Sequence, residues 1–144
     1  LKLKLLICLF VIPLCALSQD WEESYEHSIS RSKNTNKPIL LVFAGSDWCA
    51  PCIKLDRLLF QSQEFKEYAD KNLILFKADF PRTKKNRLPL QKEQVNKQLA
   101  QKFNSKGYFP LVLLLDKDET VLGSFAYENQ EAEEYISLLN SFQK

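Results

Sequence analysis

The sequence has little histidine, glycine or proline: one, three and six residues in 144. With His27 alone, a mechanism that needs several imidazoles has too few residues to run on. The scarcity of Gly and Pro excludes collagen-like and linker-dominated chains. Charge of one sign is lacking too, because 20 Lys and Arg face 18 Asp and Glu for a net +2. That is too little for a dedicated electrostatic footprint on nucleic acid, so no nucleic-acid partner is expected. The N-terminal apolar run, Leu5 to Leu14, is shorter than the ~20 residues of a membrane-spanning helix. What remains is 45% hydrophobic and 26% charged, the make-up of one compact globular domain.

The N-terminus reads as an address. Lys2 and Lys4 precede the apolar run, and Ala16-Leu17-Ser18 follows it with small residues where a signal peptidase reads. These are the parts of a secretory signal peptide over residues 1–18, cleaved to leave a single domain at 19–144. An uncleaved signal anchor is the rival. A lipoprotein through Cys15 is weaker, because Leu14, not a small residue, precedes it. Cleavage removes two lysines, so the mature chain balances 18 basic against 18 acidic residues. Cys8 and Cys15 leave with the signal, and only Cys49 and Cys52 remain. The destination is oxidising, where a cysteine pair can join. The periplasm is expected, with secretion or a signal anchor as alternatives.

Along the mature chain, Trp21, Tyr25 and Ile29 in Asp20–Asn36 recur at the spacing of one helical face. Pro38–Ala44 and Leu73–Asp79 are unbroken apolar runs of the kind that form buried strands. Ile53, Leu55, Leu58 and Leu59 suit a helix from Ala50 to about Phe60, and Ser62 caps the next. A basic loop, Pro81–Gln91, leads to a helix over Glu93–Phe103 that ends at Gly107. Leu111–Leu115 and Thr120–Tyr127 read as a hairpin, and Asn129–Phe142 as a closing amphipathic helix. Alternating strands and helices imply a parallel pair, and the hairpin adds antiparallel strands. The expected fold class is α/β: a mixed, mainly four-stranded sheet with helices on both faces.

Chemistry concentrates in Trp48-Cys49-Ala50-Pro51-Cys52, which follows a buried strand and opens a helix. Helix positions i and i+3 are neighbours, so the sulfurs fall within disulfide range. Cys49 sits at the helix entrance, where free backbone N–H groups and the positive dipole end favour a thiolate. Cys52, a turn inside, is expected to be the more buried thiol. Cys49 therefore attacks a substrate disulfide and Cys52 resolves the mixed disulfide. Pro51 lies in the first turn, where its missing N–H costs nothing. A purely structural disulfide is the competing reading. Its loop is so short that it stabilises by only ~2 kcal/mol. Zinc is another, but two further Cys or His would be needed and only His27 is present, so no metal is expected.

On these residues, and on Gly107-Tyr108-Phe109-Pro110 before the third strand, the mature chain resembles the thioredoxin family over nearly its full length. The segment Ala44–Cys49 is most similar to thioredoxin-like proteins exported by bacteria. The resemblance implies a thioredoxin-like fold and a cis peptide bond at Pro110, facing the cysteines. It also implies a substrate chain held against the backbone of Phe109. Trp48, next to Cys49, is either a lid beside the thiol or simple packing, and the Phe109 side chain is either core or a substrate contact. There are departures. Ala50 stands where thioredoxin has Gly, and Phe109 is bulkier than the usual residue. The strand acid that serves the resolving cysteine is replaced, by sequence position, by Phe43. Asp47 is the nearest substitute, or else only an N-cap. Lys54 is a candidate to favour the Cys49 thiolate, and Asp47 to oppose it.

Other residues have plainer readings. Arg82, Lys84, Lys85, Arg87 and Lys92 form a solvated loop or dock an acidic partner. Glu128, Glu131, Glu133 and Glu134 lie on the outer face and near the start of the last helix, and His27 lies at the surface. Together these readings point to an exported thiol–disulfide oxidoreductase, a reductase of protein disulfides that needs no cofactor. It would be a monomer re-reduced by a membrane thiol donor. The alternatives are an oxidase or isomerase, or a redox-inert binding module.

Overall fold

The computed structural model describes residues 20–144, so the expected signal peptide lies outside the described residues. Helix α1 (Tyr25–Thr35) leads into strand β1 (Ile39–Ala44). Helix α2 (Ala50–Leu55) runs on into a π-helical turn at Asp56–Phe60 and is followed by α3 (Gln63–Asn72). Strand β2 (Ile74–Asp79), helix α4 (Leu90–Phe103), strands β3 (Leu111–Leu115) and β4 (Val121–Phe125), and helix α5 (Ala132–Ser141) complete the order. The sheet runs β2-β1-β3-β4, with β1 parallel to β2 and antiparallel to β3, and β3 antiparallel to β4.

Strand side chains alternate between faces, and both faces are covered. Leu40, Val42, Leu75, Val112 and Leu114 pack with α2, α3 and α5 through Leu55, Phe65, Tyr135 and Leu139. Ile39, Leu41, Phe43, Phe76 and Leu113 form the other core with α1 and α4 through Tyr25, Ile29 and Leu99. This is the mixed four-stranded α/β sheet expected from the pattern. All six residues of β1 are buried, which is why its sequence is an unbroken apolar run.

Several boundaries differ from expectation. Trp21 is not on the first helix. It bridges to Leu75 beside β2 and packs edge-on against Phe60 at 5.4 Å, across the sheet from Tyr25. Ser24 stops the helix short by capping it, its hydroxyl accepting the His27 N–H. Ile53 and Leu58 point outward, while Leu59 and Phe60 are both buried. The wider π turn brings these two consecutive side chains inward, which a regular α spacing does not do. Helix α4 begins at Leu90, ahead of the expected Glu93; Leu90 and Gln91 are exposed, so no apolar period marks the start. It ends at Phe103 with Asn104 as its C-cap, and Gly107 takes its positive φ of 70° three residues after that cap. Ser62 caps α3 as expected, accepting the Phe65 N–H at 3.2 Å.

Candidate active site

β1 ends at Ala44, and the chain turns through Gly45-Ser46-Asp47-Trp48 before α2. Gly45 is needed there: a Cβ on it would lie 2.3 Å from Cε2 of the Trp48 indole. The turn is tied down from two sides. Ser46 donates its N–H and hydroxyl to Asp79 at the end of β2, at 2.9 and 2.5 Å. Asp47 holds the loop that follows β2. It accepts the Arg82 and Thr83 N–H groups at 2.9 Å, the Thr83 hydroxyl at 2.5 Å and the Asn86 amide at 3.1 Å. The Thr83 hydroxyl and then the two backbone donors hold the Asp47 carboxyl well below the usual carboxylate range. Asp47 is thus not the N-cap of the helix, a place that Cys49 takes. It fastens the basic loop to the motif.

Cys49 itself is the N-cap of α2. Its Sγ accepts the Cys52 N–H at 3.3 Å, and its carbonyl accepts the Ile53 N–H. The two sulfurs form a disulfide, S–S 2.09 Å, with Cα atoms 5.2 Å apart. Joined, the residues are 4% and 5% exposed, so burial does not rank them as expected. Position does: Cys49 caps the helix and Cys52 lies within its first turn.

Trp48 donates its indole N–H to the Phe80 carbonyl at 2.7 Å. Its ring meets Phe109 edge-on at 5.4 Å, and Phe109 meets Phe80 at 5.5 Å. The Arg82 guanidinium lies 3.7 Å from the indole centroid. The Phe109–Pro110 bond is cis. Asn104 clamps the approach to it, donating to the Tyr108 carbonyl and accepting the Tyr108 N–H. Pro110 and Cys52 line one cavity of about 400 Å³ together with Val42, Ile53, Asp56 and Lys77. Lys77 donates to Asp56 at 2.7 Å and sits 4.6 Å over the Trp21 ring.

Comparison with known proteins bears on this geometry. A family model described as "Thioredoxin-like" matches residues 20–117, more than half of the chain. The chain belongs to the thioredoxin-like family. It is 36% identical over 129 residues to the disulfide bond reductase DsbH of Chlamydia pneumoniae, across 90% of this chain and 75% of that protein. It is 29% identical over 112 residues to the thioredoxin-related protein DsbJ of the same organism, covering 75% of this chain but 31% of DsbJ. A solved structure named DsbH oxidoreductase superposes with a TM-score of 0.82 at 34% identity, covering 91% of this chain and 88% of that one.

The thioredoxin-like fold brings Trp48, Cys49, Cys52, Phe109 and Pro110 together around one sheet end. It does not bring Lys54, which is exposed on the outer side of α2 and has no ion pair among the described residues. Phe43 also proves to be the wrong strand position to compare. It is buried on the α1/α4 face, and the β1 residues that line the cavity with Cys52 are Val42 and Ala44, on the opposite face. The charged pair at that cavity, Asp56 and Lys77, was missed by sequence reasoning. Its signal was available: Asp56 stands four residues after Cys52, hence on the same helix face.

Proposed function

We propose that this protein is an exported thiol–disulfide oxidoreductase that reduces protein disulfides through Cys49 and Cys52. The observation that carries the reading is Cys49 at the mouth of α2. Its Sγ receives a helix N–H, Cys52 is bonded to it, and Pro110 lines the cavity beside Cys52.

In the reduced protein the Cys49 thiolate attacks one sulfur of a substrate disulfide. That S–S bond breaks, a mixed disulfide forms, and the departing thiolate takes a proton. Cys52 then loses its proton and attacks Cys49 Sγ, which expels the second substrate thiolate. Two electrons have passed to the substrate, and the Cys49–Cys52 disulfide remains. Asp56, paired with Lys77 and sharing the Cys52 cavity, accepts the Cys52 proton through solvent in that cavity. Substrate backbone lies against Phe109, with Trp48 at its flank.

Reduction as the direction is supported by Ala50-Pro51 between the cysteines and by similarity to a protein named a disulfide bond reductase. Residues 1–18 act as the signal peptide and the domain works in the periplasm as a monomer, re-reduced by a membrane thiol donor. No helix among the described residues is long and apolar enough to cross a membrane. The mature protein is expected to begin at Gln19 by mass spectrometry.

Insulin reduction tests the chemistry: wild type precipitates the B chain and Cys49→Ser does not. Equal low activity in both would favour a redox-inert binding module. The potential of the couple tests the direction. A value near thioredoxin's ~−270 mV fits a reductase, and one near ~−120 mV makes the protein an oxidase.

A further inference from the structure

From Phe80 to Lys92 the chain carries five cations and no anion, in a mature domain that balances 18 basic against 18 acidic residues only with these five included. Lys92 pairs with Glu23 at 3.1 Å. Arg82, Lys84, Lys85 and Arg87 are exposed and have no ion pair among the described residues. Elsewhere Arg31 is matched by Glu22, Lys77 by Asp56 and Lys102 by Glu119, while scattered surface cations such as Lys54 and Lys66 are also without an ion pair among the described residues. What distinguishes the loop is that four such cations fall within six residues.

A charged loop is usually just solvated, but two observations set this one apart. It is fastened: one carboxylate, Asp47, takes four hydrogen bonds from Arg82, Thr83 and Asn86. Its position relative to the active-site turn is therefore fixed before any partner arrives, so little ordering entropy remains to be lost on docking. It is also placed on the chemistry. Arg82 stacks on Trp48, the residue before Cys49, and Trp48 in turn bonds Phe80 at the loop's start. A positive rim beside a reactive sulfur raises the encounter rate of negatively charged partners and lowers that of positive ones.

We propose that the Arg82–Arg87 loop is a docking rim for protein segments that carry Asp or Glu next to the cysteine undergoing exchange. This selects among disulfide substrates by local charge. It rests on the exchange reading above.

The test uses the pre-reduced protein in single turnovers with three synthetic disulfide peptides of one length, flanked by Asp and Glu, by Ser, or by Lys. Wild type at low ionic strength is expected to reduce the acidic peptide at least about tenfold faster than the Lys peptide. The preference should fall towards unity at about 0.5 M NaCl, where screening shortens to a few ångströms. The triple variant Lys84→Gln, Lys85→Gln, Arg87→Gln leaves Arg82 on Trp48 and should lose most of the preference. Its rate on the Ser peptide should be unchanged, which also checks that it folds. Equal rates for acidic and Lys peptides in wild type, or a preference that survives the triple variant, would overturn the docking rim alone. Failure to reduce even the Ser peptide would overturn the exchange reading and the rim with it.

Discussion

Gly45→Ala adds a single methyl group beside the active-site indole. The new Cβ would sit 2.3–2.6 Å from three atoms of the Trp48 ring, well inside contact distance, and the ring is not a flexible chain end. The indole has to move. Forced overpacking of this kind costs about 1–3 kcal/mol. Displacement also breaks the Trp48–Phe80 hydrogen bond, a further ~0.5–1.5 kcal/mol, and the edge contact with Phe109, ~0.5–1.5 kcal/mol. These losses overlap because one ring makes them all, so we expect about 2–3 kcal/mol in total. For a domain of this size that lowers Tm by roughly 10 °C. Thermal unfolding followed by far-UV circular dichroism reads the stability, and the Trp48 Nε1–H resonance reads the indole. The variant should also reduce insulin more slowly, because Trp48 adjoins Cys49. Stability within about 0.5 kcal/mol of wild type, with an unshifted Nε1–H resonance, would refute the packing argument.

Two further predictions concern carboxylates. The Asp47 carboxyl titrates lower in the folded loop than its unfolded ~3.9. Its stabilisation is therefore complete above that unfolded value and is lost as pH falls through the lower folded one. The Arg82 and Thr83 amide resonances should keep their neutral-pH positions at pH 4 and move only in stronger acid; a midpoint at or above 4 contradicts the anchor. Asp56→Asn should leave the first attack by Cys49 unchanged and slow the Cys52 step at neutral pH by at least about tenfold. Release of thionitrobenzoate from a preformed Cys49 mixed disulfide measures that step. The deficit should shrink as pH rises and hydroxide takes over, and Asp56→Glu should restore the rate. A loss equal at every pH would mean that Asp56 has only a packing role.

The fold was legible wherever burial dictates composition. β1 is covered on both faces, so its apolar run is unbroken, and β3 reads the same way. The cysteine pair was legible because its spacing is also its geometry. Less legible were features set by long-range contacts. Trp21 belongs to helical spacing by sequence but docks against Phe60 from outside the helix. The start of α4, Leu90 and Gln91, is exposed and carries no apolar period. Asp47 looked like a local cap or a proton acceptor, yet its partners lie 35–39 residues onward. The Asp56–Lys77 pair joins the π turn after α2 to β2 across 21 residues: helix spacing places Asp56 on the Cys52 side, but only the tertiary fold brings Lys77 to it. The cavity-facing residue of β1 differs by one from the position that alignment to the motif suggests. A strand reverses its faces at every residue, so that one-residue shift exchanges Phe43 for Val42.

The claim most directly exposed to measurement is that Cys49 is an ionised and reachable nucleophile when the disulfide is open. Iodoacetamide at pH 7, with the labelled peptide identified by mass spectrometry, should alkylate Cys49 of the reduced, folded protein faster than free cysteine and leave Cys52 protected. Labelling of neither residue faster than free cysteine, or preferential labelling of Cys52, would contradict the account.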